Sequence, residues 1–432
     1  MEKIVSLCKR RGFVYPGSEI YGGLSGTWDY GPTGSLLKKN LKDLWWEEMV
    51  TLRDDIVGVD TTVLMHPYIW EAVNHCVSFA DKIVECKICH NLLQVDKEKE
   101  IKYHEQIHER NGNGKVEWTD QKRLSTLLST QVGVLEGKKI NLFLRGEITP
   151  GVHVNFRNIV DTTRVRIPFG VAQIGRAFRN EIAPGNFVFR SIEFEQMEVQ
   201  FYVKPDPEES LKWFEYWKQN RLEWHINIGF KKNHLRFHDY PGEGRARYAG
   251  ADIEYLAPWG WDEMMAIHQR LDYDLSFHQK FSGKDLTYRD PETGETFIPY
   301  DIETSSGVDR LIMFLLMDSY TEKNERVILK LHPRLAPYKV AVFPLIKNKS
   351  QLVEKANLIY KTIKSNKISA TFDDWGNIEK RYLAQDEIGT PWCVTVDNHT
   401  LKDGTVTVRD RDTNGQERVK AGNLVSYFTQ KL

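Results

Sequence analysis

Residues 169–203 read FGVAQIGRAFRNEIAPGNFVFRSIEFEQMEVQFYV, and this stretch decides the fold. Phe, Val and Ile recur in both halves, as they do in β-strands. The run Ala183-Pro184-Gly185-Asn186 separates the halves and favours a turn. The pattern therefore predicts two long strands joined by a loop.

The predicted strands and loop also carry charged side chains within this apolar frame, namely Arg176, Arg179, Glu181, Arg190, Glu193, Glu195 and Glu198. A charge buried on a sheet costs free energy unless it is paired or meets a ligand. Arg190, Gln196 and Glu198 share one parity, so we expect them to face one side of the sheet. A solvent-facing hairpin with ordinary salt bridges is the alternative interpretation.

Length and composition limit the class of protein. A chain of 432 residues can hold two or three domains with a large core, and its 41% apolar content is ordinary for a globular protein. The sequence has no apolar run of about 18 residues, so we expect no transmembrane helix and no membrane partner. The start, MEKIVSLCKRRGF, has no signal-peptide core, and five cysteines give no disulfide framework. A cytoplasmic location is therefore expected.

Two stretches on either side of residues 169–203 add further elements. Residues 28–46 read WDYGPTGSLLKKNLKDLWW, and apolar residues at helical spacing predict a helix from Ser35 onward. Residues 297–320 read FIPYDIETSSGVDRLIMFLLMDSY, which predicts a short strand followed by a helix. Gly307 at the junction allows close backbone approach, and Arg310 lies in the first helical turn, where an anion is favoured.

Residues 83–140 have a separate pattern, with Cys86 and Cys89 followed by His104 and His108. This C-x2-C-x14-H-x3-H spacing is close to that of C2H2 zinc sites. Thiolate and imidazole ligands suit tetrahedral Zn²⁺, and two histidines four residues apart share one helix face. The alternative is two free thiols and two surface histidines.

The C-terminal part begins after a Pro-marked linker, LHPRLAP, at residues 331–337. Residues 338–432 alternate between strand and helix patterns and predict a compact α/β domain. Lys and Arg outnumber Asp and Glu in this part, whereas the whole chain has a net charge of −1. A mildly basic domain is weak evidence for an RNA partner.

These stretches together resemble the class II aminoacyl-tRNA synthetases, in the version carried by dimeric glycyl-tRNA synthetases. Residues 169–203 resemble motif 2, residues 28–60 motif 1 and residues 297–320 motif 3. The stretch KRYLAQDEIGTPWCVTVD resembles the anticodon-binding domain shared by glycine, threonine, proline and histidine synthetases.

The resemblance implies an α+β fold with three parts. Residues 1–82 and 141–335 would form a catalytic domain, an antiparallel sheet flanked by helices. Residues 83–140 would form an inserted domain, and residues 338–432 an α/β anticodon-binding domain. The implied function is a glycine–tRNA ligase, which activates glycine with ATP to glycyl-adenylate and transfers it to the 3′ end of tRNA(Gly) for protein synthesis. Implied ligands and partners are ATP, Mg²⁺, glycine, tRNA(Gly) and a second copy in a homodimer, with Zn²⁺ in the insertion.

The resemblance also implies site residues. Arg179 and Arg310 would be catalytic, with Arg179 on the ATP α-phosphate and the attacking carboxylate and Arg310 on the γ-phosphate. The implied ATP-binding residues are Arg179, Asn180, Glu181, Phe189, Arg190, Phe194, Glu263, Met264, Gly307 and Arg310. The implied glycine-binding residues are Arg145, Glu147, Phe194, Gln196, Glu198, Glu303, Ser305 and Gly307. The predicted zinc ligands are Cys86, Cys89, His104 and His108.

The chain departs from the family pattern at several positions, including Gly146, Pro150, Gly185 and Ile192. The run His268-Gln269-Arg270 stands where the family has Ala-Asn-Arg. These departures leave two alternatives open. One is a diverged paralogue that activates an amino acid without charging tRNA. The other is a non-enzymatic nucleic-acid-binding accessory subunit, which would not need both phosphate-binding arginines.

Overall fold

The computed structural model describes residues 1–73, 80–95, 98–112, 114–135, 137–181, 185–242, 248–323 and 326–432. Ala183 and Pro184 of the predicted turn lie outside these ranges. The helices are α1 (Glu2–Arg10), α2 (Pro32–Trp46), α3 (Pro67–Ala72), α4 (Glu98–Arg110), α5 (Thr149–Val154), α6 (Phe156–Thr162), α7 (Pro207–Asn227), α8 (Tyr273–Ser282), α9 (Val308–Ser319), α10 (Ser350–Ser365), α11 (Ile378–Ile388), α12 (Thr400–Asp403) and α13 (Leu424–Thr429).

The strands follow the same chain order. They are β1 (Val14–Pro16), β2 (Trp28–Tyr30), β3 (Ile56–Gly58), β4 (Leu64–Met65), β5 (Ala80–Glu85), β6 (Leu92–Gln94), β7 (Lys122–Ser125), β8 (Ser129–Val132), β9 (Ile140–Leu144), β10 (Phe169–Phe178), β11 (Glu193–Val203), β12 (Leu235–Pro241), β13 (Ala249–Ala257), β14 (Gly260–Leu271), β15 (Tyr288–Arg289), β16 (Thr296–Phe297), β17 (Tyr300–Gly307), β18 (Tyr320–Lys323), β19 (Arg326–Leu329), β20 (Val340–Pro344), β21 (Ala370–Phe372), β22 (Trp392–Val396), β23 (Thr405–Asp410) and β24 (Gln416–Lys420).

A seven-stranded sheet with the order β12-β13-β14-β17-β11-β10-β3 forms the centre of the molecule. Its pairs are antiparallel except for β10 with β3. Strands β10 and β11 pair from Phe169↔Tyr202 to Phe178↔Glu193, which confirms the two long strands expected from the sequence. Strand β11 begins only at Glu193, because a 3-10 helix occupies Phe187–Phe189, so Arg190 precedes the strand instead of lying on it.

The two faces of strand β11 separate apolar from polar side chains. Met197, Val199 and Phe201 belong to the main hydrophobic core, together with residues of helices α2, α7 and α9. The alternate positions Gln196 and Glu198 line a cavity on the other face. Alternation of this kind is what a sheet with one packed and one polar face requires.

Helix α9 is buried along almost its whole length, as the sequence pattern predicted for Leu311, Ile312, Leu315 and Leu316. Helix α2 begins at Pro32, slightly earlier than Ser35. Gly34 lies in its first turn, where an added Cβ would meet the Phe13 carbonyl oxygen at 1.9 Å. A glycine is therefore required for the close approach of this helix to the N-terminal segment.

The described part of the segment from β4 to β9 forms two small sheets. Strands β6, β5 and β7 form one sheet, and β4, β9 and β8 form the other. Helix α4 lies between β6 and β7 in the chain. The sequence predicted the boundaries of an insertion at residues 83 and 140. In the structure, residue 83 lies within β5 and residue 140 is the first residue of β9.

The C-terminal part is an α/β unit with the strand order β21-β20-β22-β23-β24, of which β21, β20 and β22 are parallel. The sequence pattern predicted its strands except β24 and its α-helices except α12. Arg10 and Arg11 from the end of helix α1 reach Glu387 of α11 at 2.9 and 2.5 Å, joining the N-terminal helix to this unit. Among the described helices, none is both long and apolar enough to cross a membrane.

Candidate active site

A cavity of about 360 Å³ opens on the polar face of the central sheet, between Arg179 and Arg310. These arginines come from distant parts of the chain, one after strand β10 and the other in the first turn of α9. The predicted site residues that line this cavity are Arg179, Glu181, Phe189, Arg190, Phe194, Gln196, Glu198, Glu263, Glu303, Ser305, Gly307 and Arg310.

The register of three neighbouring strands brings the polar side chains of the cavity together. Gln196 pairs with Gly307 and Glu198 with Ser305, so β11 and β17 present alternate residues side by side. On the other side of β17, Ala266 of β14 pairs with Ser305, and His268 pairs with Glu303. Because residues two apart on a strand share one face, these pairs form a continuous polar floor.

The Arg179 guanidinium is held on two sides. Its Nε donates to the Gly146 carbonyl oxygen at 2.9 Å, and its Nη2 lies 3.8 Å from the Glu147 carboxylate. The guanidinium carbon lies 5.4 Å from the centre of the Phe194 ring, a cation–π distance. These contacts orient a partly exposed positive charge toward the cavity.

Arg310 occupies the opposite wall of the cavity. Its Nη1 lies 2.9 Å from Glu263 Oε1 and donates to the Glu263 carbonyl oxygen at 3.0 Å. The guanidinium carbon lies 4.4 Å from the Phe189 ring centre. The positive charge of Arg310 is the main reason that the pKa of Glu263 is lowered. A carboxylate and a guanidinium therefore share this wall, and the lowered pKa favours the ionised form of Glu263.

Asp309, next to Arg310, fixes the start of helix α9. Its carboxylate accepts hydrogen bonds from the Tyr30 hydroxyl at 2.6 Å, from Lys38 Nζ at 2.7 Å and from the Glu195 backbone N–H at 2.8 Å. Lys38 also reaches the Glu195 carboxylate at 2.8 Å. The first turn of α9 is thus tied to helix α2 and strand β11, which limits where Arg310 can point.

Glu198 lies in the deepest part of the floor. It accepts hydrogen bonds from Thr149 Oγ1 at 2.6 Å, Ser305 Oγ at 2.7 Å and Gln196 Nε2 at 2.9 Å. Burial and the charge of Glu303 raise the pKa of Glu198 to about 8, although the Thr149 and Ser305 hydroxyls act to lower it. Without a cation in the pocket, the Glu198 carboxyl group therefore keeps its proton at neutral pH.

Glu303 is paired on both of its carboxylate oxygens. Oε2 lies 3.0 Å from Arg270 Nη1, and Oε1 lies 3.1 Å from His268 Nδ1. Arg270 is itself fixed by Asp274, whose carboxylate accepts from Nε and Nη2 at 2.8 Å each. Two neighbouring glutamates thus have different environments, since Glu303 meets a guanidinium and Glu198 meets neutral donors.

Four predicted site residues lie outside the cavity lining, namely Asn180, Met264, Arg145 and Glu147. Arg145 is buried and donates to backbone carbonyl oxygens of Arg176 at 2.6 Å and of Thr61 at 2.8 Å. Its contacts support the chain around the site. Glu147 is also buried, and its carboxylate lies 3.8 Å from Arg179 Nη2.

Sequence reasoning did not assign several residues that the structure brings into the site. Thr149 bonds Glu198, and Tyr240 OH bridges His268 Nε2 at 3.0 Å and Asp252 Oδ1 at 3.3 Å. His268 and Arg270 stood in a run noted only as a departure from the family. Strand parity could have indicated His268, because residues two apart on β14, such as Ala266 and His268, face the same side of the sheet.

A second cluster lies in the insertion. Cys86, Cys89, His104 and His108 offer one ligand atom each, and these atoms all lie within 4.8 Å of one another. Cys86 Sγ is 3.9 Å from His108 Nε2, and Cys89 Sγ is 3.4 Å from His104 Nε2. Ligands of a tetrahedral Zn²⁺ are about 3.4–3.8 Å apart, given bonds of 2.0–2.3 Å. The two cysteine–histidine separations of 3.9 and 3.4 Å are close to this range.

The electrostatics of the cluster favour its metal-binding forms. Burial acts to raise the pKa of the Cys86 thiol, but hydrogen bonds from the backbone at Cys89 and Ile88 bring it below its usual value. Burial and the neighbouring His108 lower the pKa of His104, which favours neutral imidazole. Thiolate and neutral imidazole are the forms that bind Zn²⁺.

Comparison with known proteins gives a consistent result. Residues 339–431 match a family described as "Anticodon binding domain". The whole chain is 45% identical over 459 residues to a glycine–tRNA ligase of Caldanaerobacter subterraneus, 98% of which is covered. It is 43% identical to the glycine–tRNA ligase of Alkaliphilus oremlandii, again with 98% covered, and 45% identical to that of Borreliella burgdorferi, with 97% covered. In each comparison all of this chain is covered.

The raised pKa of Glu198 predicts a pH-dependent stability. Between about pH 4.5 and 8 the unfolded chain loses this proton while the folded protein keeps it, so rising pH favours the unfolded state. Glu198→Gln removes this contribution. We expect the melting temperature of the variant to rise relative to wild type as pH increases from 4.5 to 8, and the difference to level off above pH 8.

Thermal unfolding followed by circular dichroism across this pH range measures the effect. Glu354→Gln, at an exposed position of α10, is the matched control and should track wild type. A difference between Glu198→Gln and wild type that stays constant over the whole range would contradict the raised pKa.

Proposed function

The chain belongs to the glycine–tRNA ligase family, and from that premise we propose that ATP and glycine react in the cavity between Arg179 and Arg310. Members of this family join glycine to tRNA at the expense of ATP, and this is the function of the chain. The observation that supports this cavity as the reaction site is the convergence of two guanidinium groups and two buried glutamates on it. The cytoplasm, where tRNA serves protein synthesis, is the proposed location of the enzyme.

The first step is attack of the glycine carboxylate on the ATP α-phosphate, with pyrophosphate as the leaving group. Such in-line transfer depends on positioning and charge neutralisation more than on acid–base catalysis. Arg179 would contact the α-phosphate and the attacking carboxylate, and Arg310 the γ-phosphate. Mg²⁺ would add positive charge on the triphosphate, and Glu263 supplies an oxygen ligand of the kind that it prefers.

The glycine ammonium group would lie among Glu198, Glu303 and Ser305. Attractive contacts alone give a pocket little selectivity between amino acids, because one methylene group changes the binding free energy by only about 1–3 kcal/mol. The floor here is instead filled by side chains that bond one another, which leaves no apolar space for a larger side chain. Binding of the ammonium ion would displace the proton from Glu198 and replace it with a fixed positive charge.

In the second step a hydroxyl group at the 3′ end of tRNA attacks the carbonyl carbon of glycyl-adenylate, and AMP leaves. The C-terminal unit would bind the anticodon of the same tRNA(Gly). Retention of Arg179 and Arg310 in one cavity favours this two-step function over an accessory nucleic-acid-binding subunit.

We further propose that the enzyme acts as a homodimer. Ile20 and Tyr21 are each 87% exposed, and the neighbouring Leu24 is 62% exposed. Leu24 lines a second cavity of about 640 Å³, with Lys38 and Lys42 of helix α2 on its wall. Exposed apolar side chains beside a large concave surface favour contact with another subunit.

Zn²⁺ is the proposed ligand of the cluster Cys86, Cys89, His104 and His108. Two ligands come from the turn after strand β5 and two from one face of helix α4, so the ion would fasten the helix to the small sheet. The contacts around Cys86 and His108 are buried, which suits a structural site.

Glycine-dependent exchange of pyrophosphate into ATP tests the active site. We expect Arg179→Ala and Arg310→Ala each to lower the exchange rate by about 100- to 1,000-fold, because each removes a fixed charge from the transition state. Arg157→Ala, at an exposed position of α6, is the matched control and should leave the rate unchanged. Losses of less than threefold in both variants would remove the proposed roles.

The same assay with a panel of amino acids, followed by tRNA charging, separates the alternatives. Exchange with glycine and glycylation of tRNA is the expected outcome. Exchange without charging would indicate a paralogue that activates an amino acid only, and a protein without exchange would indicate a binding subunit.

Metal analysis of the purified protein tests the second cluster. Wild type is expected to contain one Zn²⁺ per chain, and Cys86→Ser or His108→Ala to reduce the content to near zero. His90→Ala removes a neighbouring exposed histidine outside the cluster and should retain the metal. Equal zinc content in all four proteins would exclude these ligands.

Analytical ultracentrifugation tests the homodimer. Wild type should sediment at about twice the 50.3 kDa chain mass, and Ile20→Ser with Tyr21→Ser should increase the monomer fraction by removing buried apolar area. Leu211→Ser, another exposed apolar position, should leave the distribution unchanged. A monomeric wild type at all concentrations would contradict the proposal.

A further inference from the structure

Trp375 is an exposed aromatic side chain at one edge of the C-terminal sheet. It follows strand β21 and is 85% exposed. Leu345 and Ile346, which follow the neighbouring strand β20, are also exposed. We call Leu345, Ile346 and Trp375 the apolar edge. It lies at the carboxyl ends of parallel strands, which is where open α/β sheets most often bind ligands.

The backbone beneath the indole ring is held rigidly. Arg381 is 2% exposed, and its guanidinium donates to the carbonyl oxygens of Asp374 at 3.1 Å, Trp375 at 3.1 Å and Gly376 at 2.9 Å. It also donates to the Pro344 carbonyl oxygen at 2.6 Å, which fastens this loop to the end of β20. Asp373 Oδ1 accepts from the Trp375 backbone N–H at 2.8 Å.

This arrangement is suited to binding as well as to holding the loop in place. The buried Arg381 fixes the carbonyl groups of three consecutive residues, yet the indole ring of the middle residue, Trp375, is exposed to water. An aromatic side chain on a fixed backbone has only two side-chain torsions to restrict when a partner covers it, so the entropic cost of binding is small. Its preferred partner offers a flat π surface or an apolar surface.

The apolar edge carries charges of both signs. Residues 345–350 read LIKNKS and contain Lys347 and Lys349, whereas Asp373 and Asp374 precede Trp375, and Asp373 is engaged with the Trp375 backbone N–H. Lys349 Nζ donates to Asn398 Oδ1 at 2.7 Å, which brings the loop after β22 to the same edge. Ammonium groups attract phosphates, and an aromatic ring stacks on unpaired bases. Single-stranded RNA offers both groups together.

We propose that Trp375 is a stacking platform for an unpaired base of the tRNA anticodon loop. Leu345 and Ile346 extend the apolar surface, and Lys347 and Lys349 contact the phosphates on either side of the stacked base. This inference rests on the proposed function, in which the C-terminal unit binds the anticodon, and it adds the side chain that holds one of the bases.

Steady-state charging of full-length tRNA(Gly) by the full-length enzyme tests the proposal. Trp375→Ala should raise the KM for tRNA about 5- to 100-fold, as expected for the loss of one stacked base. The kcat of charging and the glycine-dependent pyrophosphate exchange should stay unchanged, because the ring is not part of the reaction cavity. Trp375→Phe should restore most of the affinity, and Leu358→Ala on exposed helix α10 is the matched control.

Charging of a minihelix that contains only the acceptor stem separates loop binding from other effects. Wild type and Trp375→Ala should charge the minihelix equally well. A KM change below twofold with full-length tRNA, or an equal loss with the minihelix, would overturn the proposal. A change in sedimenting mass for Trp375→Ala would assign the apolar edge to a protein contact instead. Absence of glycine-dependent pyrophosphate exchange in the wild-type enzyme would instead refute the proposed function. This outcome differs from the others because it does not depend on the residue at position 375.

Discussion

The register of β14, β17 and β11 is the constraint on which the site depends. Glu198 pairs with Ser305 across one side of β17, and Glu303 pairs with His268 across the other. Side chains alternate along a strand, so a slip of one residue would turn the carboxylates into the hydrophobic core. The apolar residues Met197, Val199 and Phe201 prevent this slip, because their burial requires the same register. The chemistry of one face is thus specified by the packing of the other.

Asp309 extends this control from the sheet to the helix that follows it. Its carboxylate accepts hydrogen bonds from Tyr30, Lys38 and the Glu195 backbone. The segment 30–38, strand β11 and helix α9, which are far apart in the chain, therefore meet at one anion. Because Arg310 is the next residue, its direction is set by helix α2 as well as by the sheet. A change at the proposed subunit surface around Lys38 therefore has a direct structural route to a phosphate-binding arginine.

The strands around the site and the metal cluster could be predicted from local sequence patterns, whereas the residues of the cavity are implied by the resemblance to a family. The strands β10 and β11, the strand-to-helix junction at Gly307 and the four zinc-ligand candidates each follow from residue type and spacing. The partners of Glu198 and Glu303 could not be found in this way, because Thr149, His268 and Arg270 meet them only through strand pairing and helix packing. The predicted place of Arg190 on strand β11 was wrong, since a 3-10 helix at Phe187–Phe189 precedes Arg190 and the strand begins only at Glu193.

The position of β17 between β14 and β11 has a consequence for synthesis on the ribosome. Strands β10 to β14 emerge first, but the edges of β11 and β14 have no neighbour until residue 307 has been translated. Unpaired edges of this kind are prone to aggregation, and pairing between distant segments is slow. The ion pairs of Arg10 and Arg11 form later still, because their partner Glu387 is translated near the end of the chain. The nascent catalytic half therefore exposes two unpaired strand edges until its last central strand has been translated.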